Sequence, residues 1–300
     1  MSTIKKSGII TICGRPNVGK STLTNAFVGE KVAIVTNKPQ TTRNRICAIL
    51  NRGEGQFVFV DTPGLHKART RLGDYMVSVV KDSVSDVDAV LLLVEPIPNI
   101  GAPEQELIDR IKALDCPAVL VINKVDTLEQ KESLLEVIAC YSAAHTFDAV
   151  VPISARRGEG VKELLDMLER YLQPGPQLFP EDMVTDQPER QVMAEILREK
   201  LLLCLDKEIP HGTAVEITRF AEREDEVIEC DATIYCEKNS HKGIIIGKGG
   251  AMLKKVSTSA RHDMERFMGT KVFLQTWVKV KENWRDNPAA IQNFGYKCDD

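Results

Sequence analysis

Up to residue 172 the chain alternates short apolar runs with helical stripes, and beyond that the rhythm changes. Residues 8–13, 56–60, 88–94, 118–122 and 150–153 are nearly continuous apolar runs. Such runs predict strands covered on both faces of a parallel sheet. Between them, residues 21–28 carry Leu23, Ala26 and Phe27 on one side of a helix. Further helices are predicted near 103–114, 130–143 and 161–172. Residues 1–172 therefore read as one α/β domain, a mainly parallel sheet wrapped by helices. Gln173, Pro174, Gly175 and Pro176 break the pattern, and Pro180 and Pro188 extend the break. Residues 173–187 read as a linker, with Thr185 or Asp186 placed to cap a helix that has Pro188 in its first turn.

Residues 188–300 follow a different, α+β order. Val192, Ile196, Leu197, Leu201 and Cys204 form a helical stripe. Residues 214–220 and 227–235 read as two strands, and the charged stretch 221–226 between them as a solvated hairpin end. Ile244, Ile245 and Ile246 precede a glycine-rich turn and a long helix, and 271–280 reads as a closing strand. A chain of 300 residues exceeds one typical domain, in keeping with two.

Candidate chemistry falls at the ends of the predicted strands. Gly14, Arg15, Pro16, Asn17, Val18, Gly19, Lys20 and Ser21 fit G-x-x-x-x-G-K-[ST] and stand between a strand and a helix. Glycines there let successive backbone N–H groups converge on an anion, and the helix adds its positive end. Lys20 can reach the outer phosphates and Ser21 can ligate Mg²⁺, with Thr22 next in the helix. Asp61, Thr62, Pro63 and Gly64 end the strand 56–60. A carboxylate there can hold Mg²⁺ through a water, and the Gly64 N–H can meet the terminal phosphate. By itself this is as readily an ordinary Asp-x-Pro-Gly turn.

Asn123, Lys124 and Asp126 follow the run 118–122. Asp126 can accept two hydrogen bonds from guanine, and adenine would leave that carboxylate unpaired, so the spacing points to GTP. Asn123 would brace the loop and the base, and the Lys124 stem can lie along the purine. Ser154 and Ala155 end the run 150–153, where a backbone N–H can approach the guanine oxygen. Between the phosphate loop and Asp61, residues 37–43 are polar and hold Thr41 and Thr42. One of these hydroxyls could join Ser21 on Mg²⁺ when the γ-phosphate is present.

In the second half, Gly247, Lys248, Gly249 and Gly250 fit G-x-x-G, the turn with which a KH domain grips single-stranded RNA. Ile246 and its apolar neighbours can form a floor for bases, and Lys254 and Lys255 follow in the helix. The net charge is −4, yet residues 238–285 hold 11 Lys and Arg against 3 Asp and Glu. A phosphate backbone responds to such a face.

With these residues placed, the amino-terminal half resembles the translation-factor-like GTPases. Gln40, Thr41, Thr42 and Arg43, with Asp61, Thr62, Pro63, Gly64 and Leu65, resemble the Era group in particular. The order helix, strand, strand, helix, G-x-x-G, helix, strand resembles a type II KH fold, and residues 277–284 resemble that family's carboxyl end. The likeness spans nearly the whole chain. It implies a P-loop GTPase domain followed by a type II KH domain, with Thr42 rather than Thr41 on Mg²⁺ and Lys20, Thr42 and Gly64 at the reacting phosphate. Asn17 matches a position that coordinates K⁺ in some relatives. Leu65 stands where Ras-like GTPases place a water-orienting glutamine, which implies slow intrinsic hydrolysis. The resemblance also implies action in assembly of the small (30S) ribosomal subunit, binding near the 3′ end of its 16S RNA, and peripheral contact with the cytoplasmic membrane. DNA is not among the expected partners.

No apolar run approaches the roughly 18 to 20 residues needed to span a bilayer, and residues 1–7 are polar rather than a secretory leader. The eight cysteines and five histidines show no ligand spacing, and a reduced, cytoplasmic protein is expected. Two other functions stay open. One is a GTPase accessory to an RNA-modifying enzyme, for which Cys298 is the nearest reactive candidate. The other is a constitutive RNA-binding scaffold with a structural nucleotide.

Overall fold

The computed structural model describes residues 4–65, 68, 70–83, 87–114, 116–130 and 132–296, so Cys298 lies outside the described residues. The chain divides into two units. The first holds the described residues of 1–33, 42–67 and 76–186, and the second holds those from Gln187 onward together with Ile34–Thr41 and Ala68–Tyr75.

In the first unit, β1 (Lys6–Cys13), β2 (Ile46–Arg52), β3 (Gly55–Asp61), β4 (Ala89–Val94), β5 (Ala118–Ile122) and β6 (Ala149–Pro152) make a sheet in the order β2-β3-β1-β4-β5-β6. Only β2 on this path runs antiparallel to its neighbour. Every residue of β4 and β5 is buried, as their unbroken apolar composition requires. One face of the sheet offers Ile10, Ile12, Phe57, Phe59, Leu91 and Leu93 to a core with Leu23 and Phe27 of α1 (Lys20–Val28) and Leu164 and Leu168 of α5 (Val161–Leu168). The alternate residues Cys13, Val90, Leu92 and Val94 face a second core, with Ile108 and Ile111 of α3 (Ala102–Leu114) and Val137 of α4 (Ser133–Ala144). This is the doubly wound α/β arrangement that the periodicity predicts.

Two elements were not visible in the pattern: β2 of this unit, and α2 (Arg71–Asp82), of which residues 71–75 group with the second unit and 76–82 with the first. The apolar start of β2 adjoins the polar 37–45 stretch, and pairing with β3 over seven residues supplies the order that local propensity does not. Residues 173–186, part of the expected linker, run along this unit rather than spanning open space. Gln173 and Pro174 (β7) pair with Ser7 and Lys6. The Gln56 side chain accepts from the Leu178 and Phe179 N–H groups at 2.8 Å. Ile49 donates its N–H to Val184 O at 2.9 Å, so this stretch covers the edge strand β2. Proline content marked the break but carried no information on what these residues cover. Asp186 is no helix cap: it accepts the Cys47 N–H at 3.0 Å, and Pro188 stands at the N-cap of α6 (Glu189–Cys204).

In the second unit, α6 is followed by β8 (Ala214–Glu222), β9 (Ile228–Cys236), α7 (Asn239–Ile246), α8 (Ala251–Met268), β10 (Val272–Val280) and α9 (Pro288–Asn293). β8 and β9 form the expected antiparallel pair, with an irregularity between Ile217 and Arg219. β10 joins β9 in parallel over nine residues, which places β9 at the centre. Leu197 and Leu201 of α6 and Val256, Ala260 and Met264 of α8 cover one sheet face through Ile217, Cys230, Ala232, Ile234 and Val272. This is the element order of a type II KH fold. The α9 helix is absent from the periodicity reading, and Phe294 at its C-cap makes ring contacts with Trp284 and Tyr235.

Candidate functional site

Except for Thr42, which lies ahead of β2, the nucleotide candidates cluster where strands of the first unit end. The 14–19 loop leaves β1, Asp61 closes β3, Asn123 follows β5, and Ser154 lies just past β6. Open α/β sheets bind ligands at this carboxyl edge, because the loops there converge and the helix N-termini point inward.

Close packing explains the phosphate loop's glycines. Gly19 has φ 100°, and a Cβ there would lie 2.3 Å from Asn123 Nδ2. A Cβ on Gly14 would come within 2.4 Å of Leu93 O. Asn17 also takes a left-handed conformation (φ 66°) and Val18 is buried. Lys20 is 6 % exposed and folds back over the loop, donating to Gly14 O and Arg15 O at 3.1 Å each. Burial lowers its pKa, against the pull of Asp61. Thr22 stands in the first turn of α1. A Cβ on Gly64 would sit 2.7 Å from Pro16 N, so the turn after Asp61 lies directly on the phosphate loop.

Thr42 is buried, and its Oγ1 is 2.8 Å from Ser21 Oγ. The Thr41 hydroxyl instead donates to Lys38 O at 2.7 Å, which separates the two threonines left open by sequence. Asp61 has no exposed surface, and among the described residues neither carboxylate oxygen has a hydrogen-bond partner. Burial pushes its pKa up to about 6, with the Lys20 charge opposing. The Ser21 hydroxyl and the Thr62 N–H also pull it back, yet neither reaches hydrogen-bond geometry with it. A buried, unpartnered carboxylate with two hydroxyls on hand fits Mg²⁺, which binds through one or two carboxylates plus substrate phosphates. Ser21, Thr42 and Asp61 are the residues that could hold it.

At the base-reading end, Asn123 Nδ2 donates to Val18 O at 2.7 Å, and Asn123 Oδ1 accepts from Ala155 N at 2.9 Å. One side chain thereby ties together the phosphate loop and the loop after β6. Asp126 accepts from Ser154 Oγ at 2.7 Å, which holds its carboxyl below the usual range. The nearby Arg157 guanidinium, 3.6 Å away, adds to this. The Ala155 N–H is engaged by Asn123. Arg15 places its guanidinium on Glu95 at 2.5 Å and Glu104 at 3.4 Å, so its side chain is engaged by protein carboxylates.

Thr62 and Leu65 also face inward. Thr62 Oγ1 donates to Ile12 O at 2.9 Å, and Leu65 is 3 % exposed beside Cys13 and Val80. Pro63 is buried between them. These residues fix the turn that carries Gly64.

In the second unit, Gly247, Gly249 and Gly250 have φ of 74°, 58° and 81°, a sequence of angles that side-chain-bearing residues seldom accept. The turn joins α7 to α8. Ile245 anchors it in the core, Ile246 is half-buried, and Ile244 is 49 % exposed. Lys248, Lys254 and Lys255 all reach solvent.

Residues 9–124 match the family described as "50S ribosome-binding GTPase", and residues 208–285 match the KH domain. The chain is 50 % identical to the GTPase Era of Ruminiclostridium cellulolyticum over 292 residues, covering 97 % of this chain and 98 % of that one. It is 49 % identical to the GTPase Era of Clostridioides difficile over 292 residues, with 97 % and 98 % covered. This chain belongs to the GTPase Era family. The fold agrees over nearly the whole chain. A crystal structure of a single-substitution variant of Aquifex aeolicus Era bound to GDP·AlF₄⁻ superposes with TM-score 0.94 at 36 % identity, covering 98 % of this chain and all of that one. A structure of Era in complex with MgGDPNP and nucleotides 1506–1542 of 16S ribosomal RNA matches equally, with TM-score 0.94, 36 % identity and the same coverage.

As a member of the Era family the chain is a GTPase, a P-loop domain of mostly parallel sheet followed by a KH domain. The motifs found its strand-end residues but not Glu95, Glu104 or Arg157, which contact Arg15, Lys124 and Asp126. Glu95 alone carried a sequence signal, since it is the first charged residue after the apolar run 88–94.

Proposed function

We propose that this GTPase binds RNA through its G-x-x-G turn under control of the nucleotide, and acts in assembly of the small ribosomal subunit near the 3′ end of 16S RNA. Gly247, Lys248, Gly249 and Gly250 take the RNA backbone, Ile246 supports bases, and Lys254 and Lys255 supply charge. Ser21, Thr42 and Asp61 hold Mg²⁺ on the nucleotide, Lys20 and Gly64 meet its terminal phosphate, and Asp126 reads guanine.

One observation carries the coupling. The segment leading into Thr42 groups with the unit that carries the G-x-x-G turn. Buried Arg198 of α6, clamped by Glu195 at 2.8 and 2.5 Å, donates to the Thr41 carbonyl. The neighbouring Glu199 accepts the Val35 N–H at 2.9 Å and pairs with Lys200, which also bonds Asp263 of α8 at 2.5 Å. Residues 68–75, which follow Gly64, group the same way, with Arg71 N donating to Asp286 at 3.1 Å. GTP orders Thr42 and the stretch after Gly64, so both segments change with the nucleotide, and hydrolysis reverses the change.

With Leu65 buried, no side chain at that position orients water. Intrinsic hydrolysis is slow, and water is placed by backbone groups, by K⁺ at Asn17 or by a partner. The protein works in the cytoplasm, with peripheral contact to anionic membrane through its basic residues. No helix among the described residues is long and apolar enough to cross a membrane.

A switch needs different affinities in its two states. RNA carrying the 16S 3′ end should bind more tightly with a GTP analogue than with GDP; equal affinity with GTP analogue, GDP and no nucleotide refutes the switch. Asp126→Asn should move preference from guanine toward xanthine, and unchanged GTP selectivity would remove base reading.

A further inference from the structure

We infer that Glu95 is a positioning residue for base recognition, locking the loop that reads the base to the loop that holds the phosphates. This rests on the reading of Asp126 as the base reader. Glu95 directly follows β4, which lies between β1 and β5 in the sheet, and those two strands lead into the two loops. Its Oε1 accepts from Lys124 Nζ and its Oε2 from Arg15 Nη2, each at 2.5 Å. Arg15 is fixed in turn: its Nε lies 3.4 Å from Glu104 Oε1, and Glu104, 1 % exposed, accepts the Gly101 N–H at 2.8 Å. One carboxylate thus holds a cation from each loop, and one of those cations is anchored from behind.

Lys124 needs such a hold. Its backbone is left-handed (φ 64°, ψ 31°), a conformation that a non-glycine residue keeps only when its surroundings enforce it. Asp126 lies two residues on, so the torsion at Lys124 sets where its carboxylate sits. Asn123 already ties the same segment to Val18 O, but through a neutral bond on the opposite side of Lys124 from Asp126. On Lys124 itself, the carbonyl accepts from the Thr127 N–H and hydroxyl at 2.9 and 2.7 Å, and the pair with Glu95 is the hold on its side chain.

Removing Glu95 has two effects of opposite sign. Losing a negative charge near a polyanion tightens every nucleotide alike. Losing the hold loosens the base loop, which weakens guanine selectively. Equilibrium binding of GDP and IDP to the full-length chain separates them, because hypoxanthine lacks the exocyclic amine that Asp126 accepts from. For Glu95→Gln, GDP affinity should fall about tenfold, the loss expected of one charge-assisted bond, with the preference for GDP over IDP falling severalfold. Glu95→Asp keeps the charge but loses one methylene of reach, and the same fall in preference is expected without the charge effect. Combined with Lys124→Met, Glu95→Gln should cost little further preference, since it acts through Lys124. An unchanged GDP:IDP ratio in both Glu95 variants, or full additivity with Lys124→Met, overturns the inference. A shift in urea midpoint alone marks a purely structural residue and also overturns it. Asp126→Asn run alongside isolates the underlying reading: no swing toward XDP refutes base reading, whereas a swing with unmoved ratios refutes only Glu95.

Discussion

The two glycine turns of this protein, 14–19 and 247–250, each lead the chain into a helix, but they differ in how much room the protein leaves around them. Around the phosphate loop there is no room. Gly14 and Gly19 are confined by Leu93 O and Asn123 Nδ2 at 2.4 and 2.3 Å from a notional Cβ. In the second turn Gly247 is also confined, a notional Cβ lying 2.7 Å from Met252 Cβ, but around Gly249 and Gly250 there is nothing within 4 Å, and there only the positive φ asks for glycine. The first loop is held from several sides by the protein and receives a small anion into a fixed cradle. The second is open at Gly249 and Gly250 and leaves space there for a long backbone to approach. Preorganisation suits the first task, where geometry at one phosphate decides the rate. Access suits the second, where charge and unobstructed backbone decide affinity.

Substitution can undo the contrast. Gly19→Ala should do the most harm: a Cβ at 2.3 Å from Asn123 displaces the side chain tying two loops together, and φ 100° adds strain. Guanine nucleotide affinity should drop about 100-fold or more, since strain and a lost buried bond each cost on the order of 1–3 kcal/mol. Wild-type affinity in a fluorescent-GDP titration would show that the cradle is not crowded after all. Gly249→Asp should reduce RNA affinity about tenfold, through one added like charge and bulk where phosphates approach, and leave GTP hydrolysis in the absence of RNA unchanged. An unaffected RNA Kd would count against the turn as an RNA contact.

Asp61 probes the enclosed loop further. Its carboxyl is raised to about 6, so the folded chain holds that proton more tightly than the unfolded one. Without metal or nucleotide, its ionisation therefore costs stability above pH 6, and stability is regained as pH falls through that value. Mg²⁺ favours the charged form, so binding below pH 6 must release a proton. Between pH 7 and pH 5, Mg²⁺ affinity should fall about tenfold, and calorimetry in buffers of different ionisation enthalpy would register the proton. A flat pH response would exclude Asp61 as a metal ligand. Lys248→Ala gives the smallest effect. RNA binding should weaken a few-fold, and the slope of log K against log salt should fall by about one. An unchanged slope would place Lys248 off the phosphate path.

The α/β domain and the later α+β domain were legible in the amino acids alone, because strand and helix periods record burial directly. So were the places of Lys20, Ser21, Asp61, Asn123 and Asp126, since their chemistry depends on local spacing after a strand. The hairpin of β8 and β9 and the order around the G-x-x-G turn could be read for the same reason. Whatever depends on contacts distant in sequence could not. No local pattern could say that Arg15 turns to Glu95 and Glu104, more than 75 residues on. Nor could it say that Thr42 rather than Thr41 meets Ser21, since neighbouring threonines differ only in which way the folded loop points them. The stretch 173–186 looked like a bare break because proline reports what the backbone cannot do, and only the paired edge of β2 shows what it covers. Folding alone assigned Ile34–Thr41 to the unit with the G-x-x-G turn, through Arg198 and Glu199. Periodicity measures how much of a residue is buried, and it carries no record of the partner that buries it.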